Sequence, residues 1–178
     1  MKRTILLPIV TIALSAAILF GASLALSGIA RENGKREHLE IMRTLLPGSE
    51  NFVVEPYSGE DANIVSVHKG ENGFVIETVT YGYVDNIRML IGVSTDGKVT
   101  GLMVREMHET FGLGLNGLTD TDFLAQFLNT SGEAEVGSTV DALSGATVTS
   151  KAITRAVNSA VAYVTGADAS SGATSWGG

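Results

Sequence analysis

The chain contains no cysteine among its 178 residues, and this absence removes several kinds of chemistry. Disulfide bonds, thiolate nucleophiles, cysteine-ligated iron–sulfur clusters and c-type haem attachment are all excluded. Any redox chemistry therefore requires a bound organic cofactor or a metal site built without cysteine. Cysteine-free proteins occur on both sides of a membrane, so the absence does not locate the protein.

Histidine and basic residues are also scarce. None of the three histidines lies at the H-x-x-x-H spacing of a metal site. The 12 basic residues are outnumbered by 19 acidic ones, for a net charge of −7. Only Lys2 and Arg3 carry charge before Arg31, so the remainder has 12 − 2 = 10 basic and 19 acidic residues, a net charge of −9. This charge argues against nucleic acid and anionic lipid headgroups as partners.

Charge is absent from the stretch Thr4 to Ala30, which is dominated by Ile, Leu, Ala and Val. Its length exceeds the roughly 20 residues that cross a bilayer core as a helix. We predict a single transmembrane anchor over residues 1–30, in the cytoplasmic membrane. The alternative is a cleaved signal peptide, whose apolar region is shorter, about 7–15 residues. Both interpretations place a domain over residues 31–165 on the extracytoplasmic side.

The remaining sequence indicates an α+β domain with an antiparallel sheet and flanking helices. A helical stripe over residues 36–46 ends at Pro47-Gly48, and a short helix is predicted near residues 123–128. Four strands are predicted between these helices, with the hairpin pair Asp96-Gly97 joining the last two. These strands cover residues 64–67, 74–79, 87–94 and 98–105.

A run of small and hydroxyl-bearing residues, D-A-L-S-G-A-T-V-T-S, occupies positions 141–150. Apolar residues then recur at steps of three and four from Ala152 to Val164, which predicts a helix with one buried face. Thr149 or Ser150 is predicted to be its N-cap. Free backbone N–H groups and the positive end of the helix dipole make such a start suitable for binding phosphate.

Individual positions in this run fit a bulky ligand that carries phosphate. Gly145 and Ala146 leave room beside the backbone, and Thr147 offers a hydroxyl. A plain loop with an N-cap is the alternative, because small-residue turns often precede helices. Asp141 also has two interpretations: it positions an acceptor threonine or a metal during a modification, or it forms an Asx-turn.

The run D-A-L-S-G-A-T resembles the flavinylation motif of the covalent FMN-binding domains. These domains occur in the G subunit of Rnf complexes and in the C subunit of sodium-translocating NADH:quinone reductases. The resemblance implies that a flavin transferase joins FMN through its phosphate to Thr147. The other cofactor-binding residues implied in this run are Asp141, Ser144, Gly145, Ala146, Thr149 and Ser150.

A second stretch, H-E-T-F-G-L-G at positions 108–114, resembles the family's H-x-E-T-P-G-L-G loop, which packs beside the flavin. Phe111 stands where proline is usual. A glycine-rich β-to-α connection is the alternative. The G-x-G-x-x-G at positions 112–117 has no surrounding βαβ repeat, which argues against a dinucleotide site. The resemblance implies cofactor contacts from Glu109, Thr110, Gly112 and Leu113.

The C-terminal residues 166–178 are rich in Gly, Ala and Ser and are predicted to form a flexible tail. They contain a second D-x-x-S-G-A-T that ends at Thr174. A chance near-repeat in a low-complexity segment is one interpretation, and a second flavinylation at Thr174 is the other.

The resemblance implies an electron carrier with covalent FMN in a membrane-bound, ion-translocating ferredoxin:NAD oxidoreductase complex. Its partners would be the other integral-membrane and iron–sulfur subunits. Three alternatives stay open. One is a component like the C subunit of a sodium-translocating quinone reductase, and another is a membrane-tethered binding domain without cofactor. The third is an FMN reductase with a soluble acceptor, for which His108 is the candidate proton donor.

Overall fold

The computed structural model describes residues 2–108 and 121–167, except for the side chains of residues 2–10, 24–27, 29 and 30. The chain divides into two compact units, Met1–Glu40 and Ile41–Gly178. The described secondary-structure elements are α1 (Lys2–Leu45), β1 (Val53–Glu55), β2 (Ile64–Lys69), β3 (Gly73–Tyr81), β4 (Asn86–Ser94), β5 (Val99–Met107), α2 (Thr121–Ala125) and α3 (Thr147–Thr165).

The first helix, α1, is continuous over 44 residues. The helix predicted over residues 36–46 is therefore its last part, and α1 ends just before Pro47, which cannot continue a helix. Within the described residues, no helix combines the length and the apolar character that a membrane span needs. The anchor over residues 1–30 stays a prediction from the sequence.

Five strands form one antiparallel sheet in the order β1-β2-β3-β4-β5. The predicted meander with flanking helices is confirmed, and each predicted strand is present with ends shifted by at most two residues. The Asp96-Gly97 turn joins β4 to β5, with Gly97 at a φ of 80°. Strand β1, a three-residue edge strand that pairs with the end of β2, was not predicted from the sequence.

One face of the sheet packs against α3. Side chains that alternate along β4 point to this face, as the pleat requires. They meet the apolar side of α3 and form the buried core of the domain. Its principal residues are Ile76, Ile87, Met89, Ile91, Val93, Phe127, Ile153, Ala156, Val157 and Ala160.

The other face of the sheet receives the end of α1. A Cβ added at Gly92 would meet the carbonyl oxygen of Leu45, and one added at Gly101 would lie 2.9 Å from the Leu45 Cα. The hydroxyl of Thr100 donates a hydrogen bond of 2.6 Å to the same Leu45 carbonyl. The two glycines therefore let the backbone at Leu45 lie directly on β4 and β5.

A polar cluster of Ser66, Glu77 and Arg88 also lies on that face. Arg88 Nη1 lies 2.9 Å from Glu77 Oε1, and the hydroxyl of Ser66 donates to Glu77 Oε2 at 2.9 Å. Burial raises the pKa of the Glu77 carboxyl, but the hydrogen bonds from Arg88 and Ser66 and the charge of Arg88 lower it by more. The pKa of Glu77 thus lies below its ordinary value.

Candidate functional site

The start of α3 lies at the end of the sheet at which strand β3 terminates. The buried hydroxyl of Thr80 donates a hydrogen bond of 3.0 Å to the carbonyl of Ala152, and Arg155 Nη2 donates one of 3.0 Å to the carbonyl of Tyr81. Thr147 precedes Ala152 by five residues, or about 7.5 Å along the helix axis. The first turn of α3 therefore extends beyond the end of β3.

The side chain of Gln126 holds the chain that leads into this turn. Its Oε1 accepts a hydrogen bond of 2.8 Å from the backbone N–H of Asp141, and its Nε2 donates one of 3.4 Å to the Asp141 carbonyl. Asp141 itself is exposed, and its carboxylate makes no hydrogen bond to another described residue. The Asx-turn is therefore absent from the described contacts, and the carboxylate faces solvent.

A tight turn follows over residues 143–146. The backbone N–H of Ala146 donates to the carbonyl of Leu143 at 3.0 Å, and Gly145 has a φ of 74°. A positive φ at the third position of a turn is the requirement of a type II turn, which glycine meets without strain. Ser144 and Gly145 are exposed, whereas Leu143 and Ala146 are buried. The small side chain of Ala146 packs inside the fold, and its role toward a cofactor stays a prediction.

The predicted N-cap is wrong. Helix α3 begins at Thr147, its N-cap is Ala146, and no side chain caps it. The hydroxyl of Ser150 instead lies inside the fold, where it accepts from the backbone N–H of Leu143 at 3.0 Å and donates to the carbonyl of Ala146 at 2.9 Å. Thr149 is also buried. Both hydroxyls thus lie within the first two turns of the helix and not at its cap.

Thr147 is exposed and is the first residue of α3. The first intrahelical hydrogen bond runs from the N–H of Ser150 to the carbonyl of Ala146 at 2.9 Å. Thr147 and Val148 precede this bond, so their N–H groups lie at the positive end of the helix dipole. An anion bound through Thr147 would therefore sit in a favourable field.

Exposed apolar and aromatic side chains occur at the start of α3, at the end of β3 and in the turn that follows β3. Val148 is 41% exposed, and Tyr81 and Tyr83 are 62% and 67% exposed. The two tyrosines flank the beginning of the β3–β4 turn, whose start Arg155 fastens to α3. An exposed helix start and exposed aromatic rings at the same end of the sheet suit a ligand with a phosphate and a flat ring system.

His108 follows the end of β5, at the same end of the sheet. Its Nδ1 lies 3.7 Å from Asp85 Oδ2, in the β3–β4 turn. The predicted loop residues Glu109, Thr110, Gly112 and Leu113, together with Phe111 and the G-x-G-x-x-G, lie outside the described residues. The same holds for Thr174. The predicted flavin loop therefore begins at the same end of the sheet as the start of α3.

Gln126, Arg155 and the Tyr81–Tyr83 pair are parts of this site that sequence reasoning missed. Gln126 and Arg155 form hydrogen bonds with residues 15 and 74 positions away in the sequence. No local sequence pattern therefore indicates their roles. The Tyr-Gly-Tyr spacing at a hairpin turn was the available signal for the tyrosines. Among the described residues, no group of three or more His, Asp or Glu side chains is arranged to hold a metal ion.

The fold and this site agree with a known family. A family model described as the FMN-binding domain matches residues 82–162, from the β3–β4 turn to the last part of α3. The class is thus that of proteins with an FMN-binding domain. The G subunit of an ion-translocating oxidoreductase complex from Methanosarcina acetivorans is 36% identical over 141 residues, which cover 70% of this chain and 73% of that protein. The chain belongs to this G-subunit family.

Two further relatives carry more specific names. The G subunit of a proton-translocating ferredoxin:NAD(+) oxidoreductase complex from Clostridium ljungdahlii is 29% identical over 165 residues, or 88% of this chain and 87% of that protein. The G subunit of a Na(+)-translocating ferredoxin:NAD(+) oxidoreductase complex from Acetobacterium woodii is 33% identical over 98 residues, or 50% and 47% of the two chains. The named complexes of these two relatives differ in the ion that they translocate.

Proposed function

We propose that the chain is the electron-carrying G subunit of a membrane-bound, ion-translocating ferredoxin:NAD oxidoreductase complex, with FMN joined through its phosphate to Thr147. The observation that carries this proposal is the exposed Thr147 hydroxyl on the first turn of α3, within the segment that matches the FMN-binding domain. The membership of the chain in the G-subunit family supports the complex.

The residues around Thr147 fit a phosphoester. The positive end of the helix dipole favours the negative charge that a phosphodiester keeps. The exposed Ser144 and Gly145 leave the approach to the hydroxyl open, and Asp141 presents an exposed carboxylate in the segment before it. During attachment, that carboxylate would position the acceptor hydroxyl or a metal ion bound to the incoming FAD. The chemistry of attachment itself belongs to a flavin transferase.

The ring of the flavin would lie against the end of the sheet that carries Tyr81 and Tyr83. When bound, the isoalloxazine accepts and passes on electrons. The chain's own residues exclude water from the ring and set its hydrogen bonds, and Glu109, Thr110, Gly112 and Leu113 of the predicted loop are the candidates for these contacts. A covalent tether prevents loss of the cofactor from a domain on the extracytoplasmic side.

The placement of the domain is part of the proposal. The uncharged stretch Thr4–Ala30 would anchor the chain in the cytoplasmic membrane by a single span, with residues 31–165 on the extracytoplasmic side. The partners that fit this arrangement are the integral-membrane and iron–sulfur subunits of the same complex. The net charge of −9 after the anchor speaks against nucleic acid.

Mass spectrometry of the full chain, produced with and without a flavin transferase, tests the proposal. We expect an FMN-phosphoryl increment on the tryptic peptide that ends at Lys151, lost in Thr147→Ala and retained in Thr147→Ser. Ser138→Ala, at an exposed hydroxyl in the same peptide, is the matched control and should keep the increment. Colourless, unmodified protein in the presence of a competent transferase would instead support a tethered binding domain without cofactor.

A further inference from the structure

The C-terminal segment repeats the attachment motif almost completely. Residues 168–174 read D-A-S-S-G-A-T, and residues 141–147 read D-A-L-S-G-A-T. The two copies differ at a single position, where Ser170 replaces Leu143. The structure describes the first copy, residues 141–147.

Most of the shared positions are exposed in the first copy, whereas the one that differs is buried. Leu143, which is not repeated, has a buried side chain, 7% exposed. Five of the shared positions are exposed in the first copy, and the sixth is the small, buried Ala146. The exposed positions are Asp141, Ala142, Ser144, Gly145 and Thr147.

Two buried residues after the motif are not repeated either. In the first copy, Thr149 and Ser150 are 1% and 0% exposed and belong to the start of α3. The corresponding residues of the second copy are Trp176 and Gly177. The second copy therefore repeats the exposed residues of the motif and does not repeat the buried Leu143, Thr149 and Ser150.

The low complexity of the tail does not account for the match. Small residues explain the repeated S-G-A, but they do not explain the two residues that carry chemistry. Asp168 is the only charged residue after Arg155, and Thr174 is the only threonine after Thr165. These two residues stand six positions apart, as Asp141 and Thr147 do.

We propose that Thr174 is a second acceptor for FMN, recognised by the same flavin transferase through the residues that the two copies share. In the reaction, the Thr174 hydroxyl oxygen attacks the FMN-side phosphorus of FAD. A phosphoester bond forms, the pyrophosphate P–O bond breaks, AMP leaves, and the hydroxyl proton passes to a base of the transferase. No electrons are exchanged. The inference rests on the proposed function, because it assumes that transferase and that donor.

Trypsin separates the two acceptors. Thr147 lies in the peptide that ends at Lys151, and Thr174 lies in the C-terminal peptide that begins at Ala156, because Arg155 is the last basic residue. Full-length chain produced with the transferase should carry two increments, one on each peptide. Thr174→Ala should remove the C-terminal increment alone, and Asp168→Ala should reduce it at least tenfold. Ser175→Ala, at the neighbouring hydroxyl outside the motif, is the control and should leave it unchanged.

The outcomes distinguish this inference from the proposed function. An increment on the Thr147 peptide with an unmodified C-terminal peptide overturns the second site and leaves the first intact. An increment on the C-terminal peptide that persists in Thr147→Ala supports Thr174 as an acceptor that does not depend on modification at Thr147. An increment on the C-terminal peptide alone supports Thr174 and overturns the assignment of Thr147. Two unmodified peptides overturn both.

Discussion

The buried hydroxyl of Ser150 accepts a hydrogen bond of 3.0 Å from the backbone N–H of Leu143, seven residues earlier. The same hydroxyl donates to the carbonyl of Ala146 at 2.9 Å. One side chain therefore fastens both ends of the turn that precedes α3. Thr147 follows that turn directly, so its orientation depends on Ser150.

Replacing Ser150 tests this dependence. We expect Ser150→Ala to lower the free energy of unfolding by about 1–3 kcal/mol, because the N–H of Leu143 is left buried without a partner. FMN attachment at Thr147 should also become slower. Chemical denaturation and timed mass spectrometry measure the two effects. Ser144→Ala, at an exposed hydroxyl, should change the unfolding free energy by less than about 0.5 kcal/mol. Equal losses in the two variants would contradict the role given to Ser150.

The positive φ of Gly145 gives a second prediction. Gly145→Ala should cost about 1–2 kcal/mol of stability, because an L side chain is strained at a φ of 74°. It should also reduce FMN attachment, since the turn would shift the backbone before Thr147. Gly137→Ala is the matched control, with a φ of 87° and open space around the added Cβ. We expect Gly137→Ala to lose similar stability while its attachment rate remains that of the wild type.

Glu77 makes the stability of the sheet depend on pH. Its carboxyl has a lowered pKa in the folded protein, so its contribution is fully present above the unfolded value near 4.5 and is lost as the pH falls through the folded pKa. Glu77→Gln should therefore lower the free energy of unfolding by about 1–2 kcal/mol at pH 7, and the difference should shrink below pH 4.5.

Urea denaturation at pH 7 and at several values below pH 4.5 checks this expectation. Glu106→Gln provides the control, because the Glu106 side chain is 57% exposed and lies 3.7 Å from Arg88. A surface pair of this kind contributes about 0–1 kcal/mol. A pH-independent difference between wild type and Glu77→Gln would show that the charge of Glu77 adds nothing to stability.

The sheet was predictable because its signals are local. Alternation of β-branched residues and the Asp96-Gly97 turn indicate β3 to β5 without knowledge of distant contacts. The edge strand β1 was not predicted, since its three residues, Val53–Glu55, are too few to show a period. Its pairing with β2 holds these residues in the extended conformation that their own sequence does not specify.

The candidate site was predictable in composition and not in detail. The S-G-A-T run located the start of α3, but a hydroxyl near a helix start can either cap the helix or bond back to it. The choice depends on whether Leu143 is buried, which is a property of the fold. The roles of Gln126 and Arg155 arise from pairings across the chain that no short motif contains.

The seating of Thr147 on α3 limits how far a tethered group can travel. The residues that follow it, Thr149 and Ser150, are packed inside the domain, and the turn before it is fastened by the Ser150 hydroxyl. The rotatable bonds between the protein and a flavin ring would then be those of the threonine side chain, the phosphoester and the ribityl chain. Electron donor and acceptor must therefore both approach within the short radius that these bonds allow.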